Sequence, residues 1–190
     1  AGSSNSDGSI TSTVSANTTA GFSIVAWNGN SGTVGHGLGV KPDVIIIKSR
    51  QTANNWVVLH KNLTGGMDTN ALIFNANDAE QGGGSGMAEP TSSVFTITGG
   101  LAANDNNVAY VFAEKKGYSK FGGYTGNNNS DGAFVYTGFK PAFVIVKPAN
   151  YADNWHIIDT KRNPSNAMDK HLFVNLNHAE NSSSSYETDF

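Results

Sequence analysis

A stretch of this chain occurs twice. Gly39-Val40-Lys41-Pro42-Asp43-Val44-Ile45-Ile46-Ile47-Lys48 lies over Gly138-Phe139-Lys140-Pro141-Ala142-Phe143-Val144-Ile145-Val146-Lys147 at an offset of 99 residues (138 − 39). The same offset carries Ala53-Asn54-Asn55-Trp56 onto Ala152-Asp153-Asn154-Trp155. Downstream it becomes 100 (172 − 72), where Leu72 to Glu80 lies over Leu172 to Glu180. Upstream it becomes 97 (126 − 29), where Trp27 meets Tyr124 and Gly29-Asn30 meet Gly126-Asn127. The changes of offset fall in Gly/Asn-rich stretches, as they do when length variation sits in loops. A period near 100 residues exceeds the roughly 20–50 of solenoids and propeller blades and suits a small β-sandwich or half a large one.

The repeat predicts a polar leader at 1–9, one β-unit at 10–106 and a second at 107–190. The end of the second copy, Asp189-Phe190, lies over Val94-Phe95, so the counterpart of Thr96-Ile97-Thr98 is missing. Ala1 to Thr19, rich in Ser, Thr, Asn and Gly and lacking an initiator Met, reads as a linker plus a polar strand of a processed or excised piece.

Within each unit, short apolar runs alternate with Gly, Asn and Asp clusters, the pattern of strands joined by tight turns. Val44 to Ile47 and Phe143 to Val146 are continuous β-branched or aromatic runs, which predicts strands covered on both faces. Hairpin partners follow at Trp56–Leu59 and Trp155–Ile158. Further strands are expected at Ser23–Trp27, Val34–Leu38, Leu72–Phe74, Val94–Thr98, Val108–Phe112, Lys120–Tyr124, Phe134–Thr137 and Leu172–Val174. No stretch longer than about eight residues has a period of 3.6. Helices are therefore limited to single turns in the loops 61–70 and 161–170. The fold expected is all-β: an antiparallel β-sandwich of jelly-roll or lectin-like type, built from two tandem pseudo-repeats.

Charge excludes some functions. Lys and Arg total 12, do not cluster, and leave a net charge of −3, which argues against a nucleic-acid binder held by phosphate contacts. The absence of cysteine removes disulfides and thiolate metal sites. No apolar run approaches the roughly 20 residues of a helical membrane span.

Candidate chemistry is sparse. Trp56 and Trp155 hold the same place in both copies, and core packing suits them better than a sugar platform. Trp27, Tyr118, Tyr124 and Tyr151 are the candidates for exposed ligand stacking. The histidines at 36, 60, 156, 171 and 178 form no metal-ligand spacing such as H-E-x-x-H. Glu80 and Glu180 match between copies, which suits turn structure better than a glycosidase pair. The oxygen-rich stretches Asn104–Asn107 and Asn127–Gly132 have Ca²⁺-loop composition, but each has one Asp and reads as a turn. Gly82–Gly86 lacks the Lys and helix of a phosphate loop and reads as a flexible connection. No catalytic residue, cofactor or metal is expected.

One family resemblance bears on function. Gly117-Tyr118-Ser119-Lys120-Phe121 with Tyr124-Thr125-Gly126-Asn127, and Gly138-Phe139-Lys140-Pro141-Ala142-Phe143-Val144, are its most specific parts, and it extends over roughly residues 18–190. Through them the chain resembles an uncharacterised β-rich domain of tailed-bacteriophage virion structural proteins, often adjacent to concanavalin-A-like or laminin-G-like jelly rolls. The resemblance implies a non-enzymatic protein exposed on the virion surface, as a head decoration or tail appendage. It would assemble as a homo-oligomer with other virion proteins, without nucleic acid or membrane insertion. The alternative it implies is a carbohydrate- or receptor-binding module that meets a host surface glycan.

Overall fold

The computed structural model describes residues 2–83, 87–129, 131–182 and 188–189. They are all-β, with no helix among them, and the strands form packed antiparallel sheets in a β-sandwich. The strands are β1 (Ser3–Asn5), β2 (Ser12–Asn17), β3 (Phe22–Asn28), β4 (Gly32–Gly35), β5 (Val44–Ser49), β6 (Val57–His60), β7 (Asn70–Ile73), β8 (Gln81–Gly82), β9 (Val94–Ile97), β10 (Asn106–Phe112), β11 (Phe143–Val146), β12 (His156–Asp159), β13 (Lys170–Phe173) and β14 (Asn181–Ser182).

The main sheet has the order β1-β2-β3-β10-β5-β6-β7-β8. Alternation along its strands separates two faces. One face carries Val14, Val25, Trp27, Ile45, Ile47, Val57, Leu59, Ala109 and Val111, all buried together with Val34, Phe95 and Ile97 of the β4–β9 ribbon. This is the larger core. The opposite face of β5 to β7 presents Val44, Val58 and Leu72. These are covered by Trp155 from the smaller sheet, β11-β12-β13-β14, with Ala149, Val174 and Phe121 at the margin. The β5 strand is thus covered on both faces, as its unbroken Val-Ile-Ile-Ile run requires.

The two matched segments make the same local bonds. The Trp56 backbone N–H donates to Asn75 Oδ1 at 2.8 Å, and Asn75 Nδ2 donates to Asn55 Oδ1 at 3.0 Å. Their counterparts are Trp155 N–H to Asn175 Oδ1 at 3.0 Å and Asn175 Nδ2 to Asn154 Oδ1 at 2.8 Å. The Lys61 N–H donates to the Asp43 carbonyl as the Thr160 N–H donates to that of Ala142, both at 3.0 Å. The Asn residues shared by the two segments are therefore hairpin clamps: a side-chain amide closes the loop edge where the ladder ends.

Elsewhere the halves diverge from the sequence expectation. The segments 120–124 and 134–137 are not strands, and 122–129 lies exposed. In the first half, β3 is held between β2 and β10. Among the described residues no strand flanks 120–124 in that way, so Phe121 and Tyr124 have no ladder to join. At the expected boundary of 106/107, β10 begins, and it is a central strand of the main sheet, paired with β3 and β5. Sequence similarity begins a second copy at a strand that the first sheet needs for closure. Phe143 and Ile145 of β11 are 58% and 41% exposed, so this run is not covered on both faces. The loops 61–70 and 161–170 hold turns rather than helical turns. The glycine loop expected at 82–86 lies in part, and Phe190 wholly, outside the described residues.

Candidate assembly and binding surfaces

The residues singled out for chemistry are mostly committed to structure. Trp27, a stacking candidate, is 4% exposed. Its ring meets Phe95 edge-on at 5.6 Å and its Nε1–H donates to the Gly29 carbonyl at 3.0 Å. It is a core residue because alternation on β3 turns it inward with Val25. Tyr118, Tyr124 and Tyr151 are exposed, on a turn, in the segment that follows it and in the loop before β12.

The paired tryptophans have different fates. Trp155 is buried between the sheets, edge-on to Phe74 at 4.9 Å, with its Nε1–H on the Ile73 carbonyl at 2.9 Å. Trp56 is half-buried on the main sheet and lies nearly parallel to Tyr110, ring centres 6.3 Å apart. The expectation of core packing holds for the second and only in part for the first.

Glu80 accepts from the Thr64 backbone N–H at 2.9 Å and from the Thr64 hydroxyl; Glu180 accepts from Arg162 Nη1 at 2.8 Å. Each carboxylate ties the loop after its hairpin strand to the segment beyond the next strand. In the stretch 104–107, Asp105 accepts from the hydroxyls of Ser49 and Thr52. Asn107 Nδ2 donates to the carbonyls of Gly29, Ala103 and Asp105 at 3.0, 2.9 and 2.9 Å. An amide occupies the centre of that loop, where a cation site would need converging oxygens. In the other, Asn127 Nδ2 donates to the Asp131 carbonyl at 2.7 Å and closes a turn.

His36 is fully buried. Its Nδ1 accepts from the Leu38 N–H at 3.2 Å, so Nε2 carries the proton and faces the Thr91 carbonyl at 3.3 Å. Burial holds its pKa below the ordinary histidine value, against a small opposing pull from the Thr91 carbonyl and Asp7. His60 is lowered by burial and by Lys61. His156 is lowered by burial, next to His171 at 5.4 Å between ring centres. No group of three or more His, Cys, Asp or Glu suited to a metal ion occurs among the described residues.

Two surfaces emerge that residue spacing alone did not single out. One is the outer edge of β11. This strand pairs with β12 on one side and with no other strand among the described residues, whereas β5, its counterpart, is flanked by β6 and β10. Phe134 and Tyr136, in the segment that precedes β11 in the chain, are 89% and 77% exposed. The other is the open part of the main sheet, where Trp56, Tyr110 and Phe22 form a row of rings. The signal for the second was present in the period-2 alternation of Val108, Tyr110 and Phe112, which sets them on the face opposite Ala109 and Val111.

The described residues define an all-β protein of antiparallel sheets, a β-sandwich with two such surfaces. The chain belongs to the DUF7483 family, a domain of unknown function, whose model matches residues 1–190. No curated protein and no solved structure gives a match.

Proposed function

We propose that this chain is a non-enzymatic structural protein exposed on a bacteriophage particle, a head decoration or tail appendage, that acts by protein–protein assembly. The supporting observation is the edge of β11, unpaired among the described residues, with Phe143 and Ile145 exposed on it. A free strand edge offers a ladder of backbone donors and acceptors to a neighbouring chain. Within its four residues β11 reads Phe-Val-Ile-Val, with no charge and no proline. Apolar side chains at an edge favour association over solubility. The family resemblance supplies the particle as the setting.

The test has two parts. Sedimentation velocity should show self-association as concentration rises across about 1–100 μM. Ile145→Lys places a charge on the edge and should return the chain to monomer with its thermal midpoint unchanged. Mass spectrometry of purified particles should find the chain in fixed stoichiometry. A chain that stays monomeric throughout and is absent from particles overturns the reading.

A further inference from the structure

The open part of the main sheet carries a second surface, independent of the β11 edge. The registers fix its layout. Tyr110 of β10 stands opposite Ile24 of β3 and Ile46 of β5. The β5–β6 register, Ile47 opposite Val57, continues to place Trp56 beside Lys48. To meet Tyr110, two strands away, the indole must reach across β5. It does so at 6.3 Å and 18° between planes. Phe22 continues the row on the other side of Tyr110 at 6.5 Å and 7°. Ile24, between the rings and the edge, is 39% exposed. Trp155 and Phe74, the rings that the smaller sheet covers, instead meet edge-on. The open row is near-parallel and the closed pair is not.

Along the same strands, four residues and so about 13 Å from Tyr110, the face ends in a shallow concavity of about 260 Å³. It is lined by Thr11, Thr13, Ala26, Asn28, Arg50 and Asn106. Its chemistry is hydroxyl, amide and guanidinium. The chain has two arginines, and their settings differ. Arg162 is bonded to Asp159 and Glu180. Arg50 is exposed and makes no ion pair among the described residues. The acid of the adjoining loop, Asp105, is held by Ser49 and Thr52. The second cation of this face, Lys48, donates to the carbonyls of Ser49 and Thr52 at 2.6 and 3.1 Å. Arg50 is thus an unopposed fork for a carboxylate or sulfate, at the end of a face that also carries three rings.

We infer that this face binds an acidic oligosaccharide, its sugar rings over the Tyr110–Trp56 row and an acidic group on Arg50, with Asn28, Asn106 and Thr13 meeting hydroxyls. Aromatic rings offer a sugar the apolar face of its own ring, while amides and hydroxyls fix its orientation. The uncompensated guanidinium selects the charged sugar over the neutral one.

Titration calorimetry and tryptophan fluorescence with a trimer of galacturonic acid, its neutral galactose counterpart and a single-stranded oligonucleotide test this. Trp27 and Trp155 are buried, so ligand quenching reports Trp56. The acidic trimer should bind at least about tenfold more tightly than the neutral one, and lose affinity with added salt. Arg50→Gln should abolish that preference while quenching persists. Trp56→Ala and Tyr110→Leu should each weaken both trimers by about tenfold, whereas Trp56→Phe should retain most of the affinity and Tyr118→Ala all of it. Matching thermal midpoints of Arg50→Gln and Trp56→Phe with the parent keep the result free of folding effects. No saturable binding of the acidic trimer up to about 10 mM, equal affinity for both trimers, or tighter binding of the oligonucleotide overturns the inference.

Discussion

Replacing Trp155 by Ala should undock the smaller sheet. Trp155 is 6% exposed and sits between Phe74, Val58, Leu72 and Val44. A buried tryptophan removes about 150–250 Å² from water. At about 25 cal/mol per Å² that is roughly 4–6 kcal/mol as an upper bound, and large-to-small truncations of this kind cost about 3–5 kcal/mol. The indole N–H on the Ile73 carbonyl adds about 1 kcal/mol. The larger core lies on the far face of the main sheet and contains none of these side chains. The loss should therefore be local. Native-state hydrogen exchange is the assay. Amides of β11 to β13 should exchange with an opening free energy lower by about 3–5 kcal/mol, while those of β3 and β10 change little. The matched variant Trp56→Ala, on a half-buried ring stacked on Tyr110, should cost about 1–2 kcal/mol and leave β11 to β13 unchanged. Equal effects of the two substitutions, or uniform loss of protection across both sheets, would refute the division of the molecule into two cores.

Other perturbations probe the interior. Because His36, His60 and His156 are held neutral by burial, the unfolded chain binds more protons than the folded one below about pH 6.5. Stability should be full above that pH and fall as pH drops, by up to about 1.4 kcal/mol per pH unit per histidine, levelling off below the folded pKa values; urea midpoints at pH 7.5, 6.5 and 5.5 measure it, and a flat profile contradicts it. Gly21→Ala should destabilise by at least about 1–3 kcal/mol in thermal melts, since Gly21 has φ of 68° and a Cβ there would stand 2.1 Å from the Ala113 carbonyl oxygen. Asn107→Asp should cost more than Asn107→Ala, itself about 2–4 kcal/mol, because a carboxylate would face the three carbonyls its amide now joins.

Much of the fold was legible because burial writes itself into alternation and turn residues. Val44 to Ile47 had to be covered twice, and Asn55 and Asn75 mark a clamp that recurs at Asn154 and Asn175. Repetition was taken to carry structure from one copy to the other, yet a strand exists only where a neighbour completes its ladder. Lys120–Tyr124 lies over β3 in the repeat and lacks a pair of flanking strands among the described residues, so it is not a strand: Phe121 packs against the second core and Tyr124 is exposed. Trp27 shows the other limit. It is a stacking candidate by residue type, but its side of the sheet is decided by the register of β3 against β10, a long-range fact. The platform at Trp56 depends in the same way on Tyr110, 54 residues further on (110 − 56), so no local motif could announce it.

The matched tryptophans show why identical local sequence need not mean identical function. Both follow an Asn, both have a backbone N–H clamped by an Asn twenty or so residues later, and both point to the same side of their hairpins. What differs is the layer above. The smaller sheet presses Trp155 onto β5 to β7, and Phe112 at the end of β10 packs with Phe121 against the same cluster, while Tyr110 of β10 and Phe22 of β3 are not part of it. Trp56 lies at that boundary, half in contact with Tyr110 and half in solvent. One hairpin is thereby used as glue and its twin as surface. The residues common to both segments are the clamps and turns that any such hairpin needs. Arg50, Tyr110 and Phe22 on one side, and Phe143 and Ile145 on the other, are where the segments differ in residue or setting, and it is on those that binding and assembly can act separately.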